Sequence, residues 1–197
     1  VVAGSQKGLM LPPGLGFITV SAKAWKLVEL SKSSRYYLDL RKAKKALDKN
    51  DTPFTSSITL IVALNEALKI MQADGLENKF KRHKAMANAT RAAMIALGLE
   101  LFAPNAASDG VTAAKVPAGI DGEKLVKTMR DTYGVTIAGG QDELKGKVIR
   151  IAHMGFIAEF DIITGLSCLE KVLFQMGYKF KLGIGVASAQ EVFAKNA

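Results

Sequence analysis

The 197-residue chain contains one cysteine, Cys168, so it can form no internal disulfide and has no cysteine pattern for an iron–sulfur centre. The stretch around it, Ile162 to Leu169, reads as the buried face of a helix, which makes Cys168 a structural thiol rather than a nucleophile. Histidine is nearly as scarce: His83 and His153 have no companions at metal-ligand spacing, so no metal site is expected. Apolar runs stop short of a membrane span. No charged-then-apolar leader opens the chain, and the expected compartment is the cytoplasm. Gly139-Gly140-Gln141 has neither the GxGxxG nor the GxxxxGK[ST] spacing, which removes Rossmann and P-loop readings and leaves a flexible turn near a substrate entrance.

Acidic residues are also few. The 27 Lys and Arg outnumber 18 Asp and Glu, and the net charge of +9 raises nucleic acid as a partner. The cations, however, recur at helical spacing in Arg41 to Lys45 and Lys79 to Lys84, without an aromatic platform beside them. Solvated helix faces are expected there, with neither a nucleic-acid nor a membrane partner. His83, between Arg82 and Lys84, belongs to such a face. A hydrophobic content of 49% is that of a globular chain with a real core.

Gly16 to Val20 reads as a short buried strand, and Ser21 as the cap of a helix carrying Trp25 and Val28 on its apolar side. A basic helix follows Tyr36-Tyr37-Leu38-Asp39-Leu40 and reaches about Lys49. The polar turn Asn50 to Ser57 then leads into a long apolar-periodic helix that ends at Gly75. A second helix, from Leu76 to Gly98, is read as a connector. From Leu99 the pattern changes to strand at Val111 to Pro117, helix at Asp121 to Arg130 closing at Tyr133-Gly134, and strands at Val135 to Ala138 and Lys147 to Ala152. A long helix from about Ile157 to Met176 completes it. That order implies a small α+β domain, 99–197, with helices on one sheet face.

Two groups carry chemistry. Lys7 lies in Gly4-Ser5-Gln6-Lys7-Gly8, on a loop leaving the strand-like Val1-Val2, with Pro12-Pro13-Gly14-Leu15 just beyond. An amine attacks an aldehyde only when unprotonated, a state favoured by desolvation or a neighbouring cation. Ser5, Gln6 and the backbone N–H groups beside Gly4 and Gly8 could donate hydrogen bonds to a phosphate. Arg150 interrupts the otherwise apolar strand Val148-Ile149-Arg150-Ile151-Ala152, where an unpaired charge is costly. Three readings stay open on the residues alone: an edge position, an ion pair with Asp142 or Asp161, or a fork that holds a substrate carboxylate. His153 falls on the opposite face from Arg150 and is given no role.

The Gly4-Ser5-Gln6-Lys7-Gly8 and Pro12-Pro13-Gly14-Leu15 segments resemble the cofactor-lysine region of the class V aminotransferases. The likeness points to the alanine–glyoxylate and serine–glyoxylate branch, which includes proteins described as soluble hydrogenase small subunits. The likeness runs along nearly the whole chain. It implies an α/β fold, the C-terminal half of a fold-type I transferase dependent on pyridoxal 5'-phosphate. Residues 1–75 would be the end of the large cofactor domain, 76–98 the connecting helix and 99–197 the small domain. It further implies that Lys7 carries the cofactor as a Schiff base, that Ser5, Gln6, Thr55 and Thr52 bind it, and that Arg150 in Val-x-Arg-Ile anchors the substrate carboxylate. The Thr55 segment would reach the phosphate across a homodimer interface. Transamination of alanine or serine with glyoxylate or pyruvate is the implied reaction. The family's upstream aspartate, stacking ring and glycine-containing phosphate loop have no counterpart here, so the chain is expected to need an N-terminal half and to be inactive alone. A non-catalytic subunit of a redox assembly, or another lysine–pyridoxal enzyme, are the alternatives. Cys168 does not suit a desulfurase.

Overall fold

The computed structural model describes residues 1–195. The chain is mixed α and β and divides into two compact units, Val1–Ala73 and Asp74–Ala197. The division falls at the end of the long helix.

In the first unit, strands β1 (Val2–Gly4) and β2 (Gly16–Ile18) pair antiparallel, with Ala3 opposite Phe17, and the lysine loop connects them. Helix α1 (Ala22–Leu30) is capped by Ser21, whose Oγ accepts from Ala24 N at 3.2 Å. Helix α2 (Leu40–Leu47) is capped by Asp39, and α3 (Ile58–Asp74) follows an irregular turn. Gly75, at φ 83°, stops α3 because a left-handed backbone suits glycine. The expected buried strand is in fact exposed at Ile18. Only Leu11 and Ala67 are buried hydrophobics among the described residues of this unit. Val2, Leu27, Leu30, Leu38, Ile58 and Val62 all face outward.

The second unit has a conventional core. Its antiparallel sheet runs β3 (Val111–Lys115), β5 (Val148–Ala152), β4 (Ala138–Gly139), with Ala113 and Ala138 both opposite Arg150. The two-residue strand period sends Ala114, Ile149 and Ile151 into one core with Leu125 and Met129 of α5 (Gly122–Tyr133) and Leu166, Leu169 and Leu173 of α6 (Glu159–Gln175). Asp121 caps α5 by accepting from Glu123 N and Lys124 N at 3.0 Å, and Gly134 ends it at φ 68°. Where a strand is expected at Val135 to Ala138, only the two-residue β4 forms.

Helix α4 (Leu76–Ala96) contributes to the core of the second unit. Met86, Ala89, Ala93 and Met94 lie on its buried face, and it packs against α7 (Ile184–Ala194), a helix the sequence reading did not anticipate. Small alanine side chains permit that close approach. The basic run on α4 is likewise not wholly solvated. Lys79 is buried and faces Asp74 at 3.5 Å, while Arg82 donates to Gly155 O at 3.0 Å and Ile157 O at 3.2 Å.

Glu170 of α6 holds α7 in place. A buried carboxylate is costly unless its oxygens are satisfied, and here it accepts from the backbone N–H groups of Gly183, Gly185 (2.8 Å) and Val186 (2.9 Å) at the start of α7. A Cβ on Gly185 would lie 2.8 Å from Glu170 Oε1, so glycine is required there. Glu170→Ala leaves three N–H groups without their acceptor and should lower stability by about 3 kcal/mol, read as a reduced urea midpoint with loss of α7 protection in hydrogen exchange.

Candidate active site

The lysine loop is built around Ser5, whose side chain is fully buried. Its N–H donates to Leu15 O at 3.1 Å and its carbonyl accepts from Leu11 N at 3.2 Å. Its hydroxyl donates to Pro12 O at 2.7 Å and accepts from Leu15 N at 3.2 Å. The two sides of the loop are thereby tied together. The hydroxyl proton is committed to that tie, and Ser5 thereby shapes the loop.

Beyond the tie, Met10 N donates to Lys7 O at 3.1 Å, with Met10 in the left-handed region at φ 62°. This tight turn presents Lys7 on the surface. Gln6 is also exposed, and its carboxamide folds back over Gly4, where a Cβ would stand 2.6 Å from Oε1. Gly14, at φ 145°, receives Leu60 of α3, and a Cβ would meet Leu60 Cδ1 at 2.5 Å. The tail of the lysine loop therefore packs on the first turn of the helix that follows Thr55.

Thr52 and Thr55 differ. Thr52 Oγ1 donates to Phe54 O at 2.8 Å and its N–H to Asp51 Oδ1 at 2.7 Å, so Thr52 closes the turn internally. Thr55 is exposed, and among the described residues its hydroxyl has no partner.

In the second unit, Arg150 lies at the centre of the sheet, which removes the edge reading. Its side chain leaves the face opposite Ile149 and Ile151 and is half-buried. Nε donates to Gly139 O at 2.8 Å. The ion-pair reading is not realised: Asp161 Oδ2 instead accepts from Ala158 N at 2.8 Å at the start of α6, and Asp142 forms no ion pair among the described residues. The two terminal nitrogens of Arg150 are left without described partners, a planar fork held at its base. Gly139-Gly140 is thus the support of Arg150 as well as a turn. The glycine run signals such close approach, and a Cβ on Gly140 would lie 2.0 Å from Leu144 O.

The sequence matches the class V aminotransferase model over residues 1–154. The chain belongs to the class V aminotransferase family. Enzymes of this family depend on pyridoxal 5'-phosphate. The chain is 47% identical to the soluble hydrogenase 42 kDa subunit of Anabaena cylindrica over 98% of its own length and 51% of that protein. It is 38% identical to a serine–glyoxylate aminotransferase of Methylorubrum extorquens, covering 99% of this chain and 50% of the other. The crystal structure of pyridoxamine–pyruvate aminotransferase from Mesorhizobium loti superposes with a TM-score of 0.93 at 32% identity, over 100% of this chain and 52% of that one. This aminotransferase-family chain therefore spans about half the length of the curated relatives it matches.

His153 lies at the end of β5 and is fully buried. Its Nδ1 is 3.4 Å from Asp109 O, and Nε2 has no partner among the described residues. Burial pushes its pKa down to about 4, with the Asp109 carbonyl opposing and Arg91 and His83 reinforcing the shift. His83 is half-buried rather than solvated, and burial followed by the neighbouring Arg82 and Lys79 charges lowers its pKa too. Burial raises the Cys168 thiol, against an opposing pull from Lys171. Among the described residues, no group of three His, Cys, Asp or Glu side chains could hold a metal, and no helix is long and apolar enough to cross a membrane.

The depressed His153 value has a consequence for stability. The folded state holds the ring neutral, so its contribution is fully present above the ordinary value of 6.5 and is lost as pH falls toward 4. Stability should drop by up to about 3 kcal/mol between those limits, and His153→Gln should flatten that part of a denaturation midpoint against pH curve.

Proposed function

We propose that this chain supplies the cofactor lysine and the substrate arginine of an aminotransferase. The reaction would move an amino group between a small amino acid, alanine or serine, and a 2-oxo acid such as glyoxylate or pyruvate. The observation that carries the reading is the Arg150 fork, pinned through Nε to Gly139 O with its terminal nitrogens unpaired among the described residues. Such a fork suits the two oxygens of an α-carboxylate and would orient the substrate's amino or oxo end. The named aminotransferase relatives use different amino donors but share a small 2-oxo acid acceptor, glyoxylate or pyruvate.

The donor set of the first unit fits pyridoxal 5'-phosphate. Lys7 Nζ is exposed on a tied loop, and Gln6 and Thr55 keep polar groups, unpaired among the described residues, that could hold the phosphate. Ser5 and Thr52 would serve the same site indirectly, by fixing the loop and the turn. When bound, the cofactor supplies an aldehyde for amines and an electron-withdrawing ring that stabilises charge at the substrate Cα. Lys7 Nζ would hold it covalently and, once displaced by the substrate amine, would carry the proton at that Cα.

We read the site as completed by protein outside this chain. The groups the family uses at the cofactor's ring nitrogen and ring face are absent from it, and the outward-facing apolar residues of the first unit suit coverage by a further half and by a second copy in a cytoplasmic homodimer. The chain alone is then inactive. The single cysteine of this chain is too few to hold an iron–sulfur cluster by itself.

Borohydride reduction of the complete protein with pyridoxal 5'-phosphate, followed by peptide mapping, should place the adduct on Lys7, and Lys7→Ala should abolish both adduct and turnover. Arg150→Lys should raise KM for the 2-oxo acid roughly 10- to 100-fold with the adduct intact. An adduct elsewhere, or an unchanged KM, would refute the respective assignment.

A further inference from the structure

We propose that Phe54, clasped by Tyr36, Tyr37 and Lys42, is a positioning residue that holds the neighbouring Thr55 hydroxyl ready for the cofactor's phosphate. The proposal rests on the reading that Thr55 meets that phosphate. Between α2 and α3 the backbone is irregular, and Thr52, Pro53 and Thr55 are exposed, whereas Phe54 is half-buried. Its ring is the anchor of the segment.

The Phe54 centroid lies 4.7 Å from that of Tyr37 and 6.0 Å from that of Tyr36, with the planes tilted by 32° and 52°. Lys42 Nζ stands 4.2 Å from the Tyr36 centroid and 5.8 Å from that of Phe54, and it donates to Tyr36 O at 3.2 Å. Ring pairs and a cation over a ring attract through the ring quadrupole as well as through buried area. Tyr36 and Tyr37 are themselves largely exposed, so core burial does not account for the grouping.

Rigid parts hold the clasp. Lys42 is on α2, and Asp39, its cap, accepts from Arg41 N at 3.0 Å and faces Arg35 Nε at 3.6 Å. On the turn side, Thr52 Oγ1 holds the Phe54 carbonyl at 2.8 Å. Phe54 is thus fixed at both its ring and its backbone. The next residue, Thr55, begins from a defined position, exposed and with its hydroxyl unpaired among the described residues. Without the clasp that donor would search many orientations, and each binding event would have to order it.

The test compares affinity for pyridoxal 5'-phosphate with affinity for pyridoxal, which lacks the phosphate, in the complete protein. Phe54→Ala should weaken pyridoxal phosphate binding roughly five- to tenfold and leave pyridoxal binding unchanged, while Phe54→Tyr should restore the wild-type value. Thr55→Val should show the same selective loss, and Phe54→Ala added to it should cost little more, because the two act through one hydroxyl. Hydrogen exchange across residues 51–57 without cofactor should be faster in Phe54→Ala. If that variant does not fold, Phe54→Leu takes its place with the same readouts. If Thr55→Val leaves the preference for the phosphorylated ligand intact, the phosphate reading falls and this proposal with it. If Thr55→Val is selective but the Phe54 variant has no effect, weakens both ligands equally or adds in full to Thr55→Val, the positioning role alone is overturned.

Discussion

The alternation of side chains along β5 is the constraint on which the second unit depends. Consecutive residues of a strand face opposite ways, so Ile149 and Ile151 enter the core while Arg150 emerges on the other face. One strand therefore serves both stability and recognition. A shift of one residue in its register would bury the guanidinium and expose both isoleucines. The flanking strands protect that register, since β3 pairs along the whole of β5 and β4 supplies the Gly139 carbonyl that fixes Nε.

The first unit is organised differently. Its lysine loop owes its shape to hydrogen bonds around one buried serine rather than to a core, and Gly14 lets Leu60 seat the loop tail on α3. Its apolar residues mostly face outward. A loop held by its own hydrogen bonds can keep its geometry while the surrounding surface is covered from elsewhere. The second unit instead carries a filled core with a charged latch, Glu170, at the start of α7.

Much of the arrangement was legible in the residues. Ser21, Asp121, Gly75, Gly98 and Gly134 marked helix ends because caps and left-handed glycines act locally. The lysine loop and the apolar strand bearing Arg150 stood out for the same kind of reason, and the family likeness added the roles assigned to them. What escaped the reading depends on residues far apart in sequence. The central place of β5 in the sheet, the burial of Lys79 and His153, and the docking of α7 through Glu170 all come from long-range packing. The small alanines of α4 give little amphipathic signal, yet their smallness lets α7 lie against it.

The sequence by itself determined the local conformations, the positions of Lys7 and Arg150 on a loop and a strand, and membership in a family, because these follow from short-range sterics, hydrogen bonding and residue pattern. Tertiary structure alone decided which polar groups are spent and which remain available. Ser5 and Thr52 use their hydroxyl protons on nearby carbonyls, whereas Thr55 and the Arg150 fork find no acceptor among the described residues. A side chain's chemistry is set by its type. Its availability is set by what the folded chain brings within hydrogen-bonding distance.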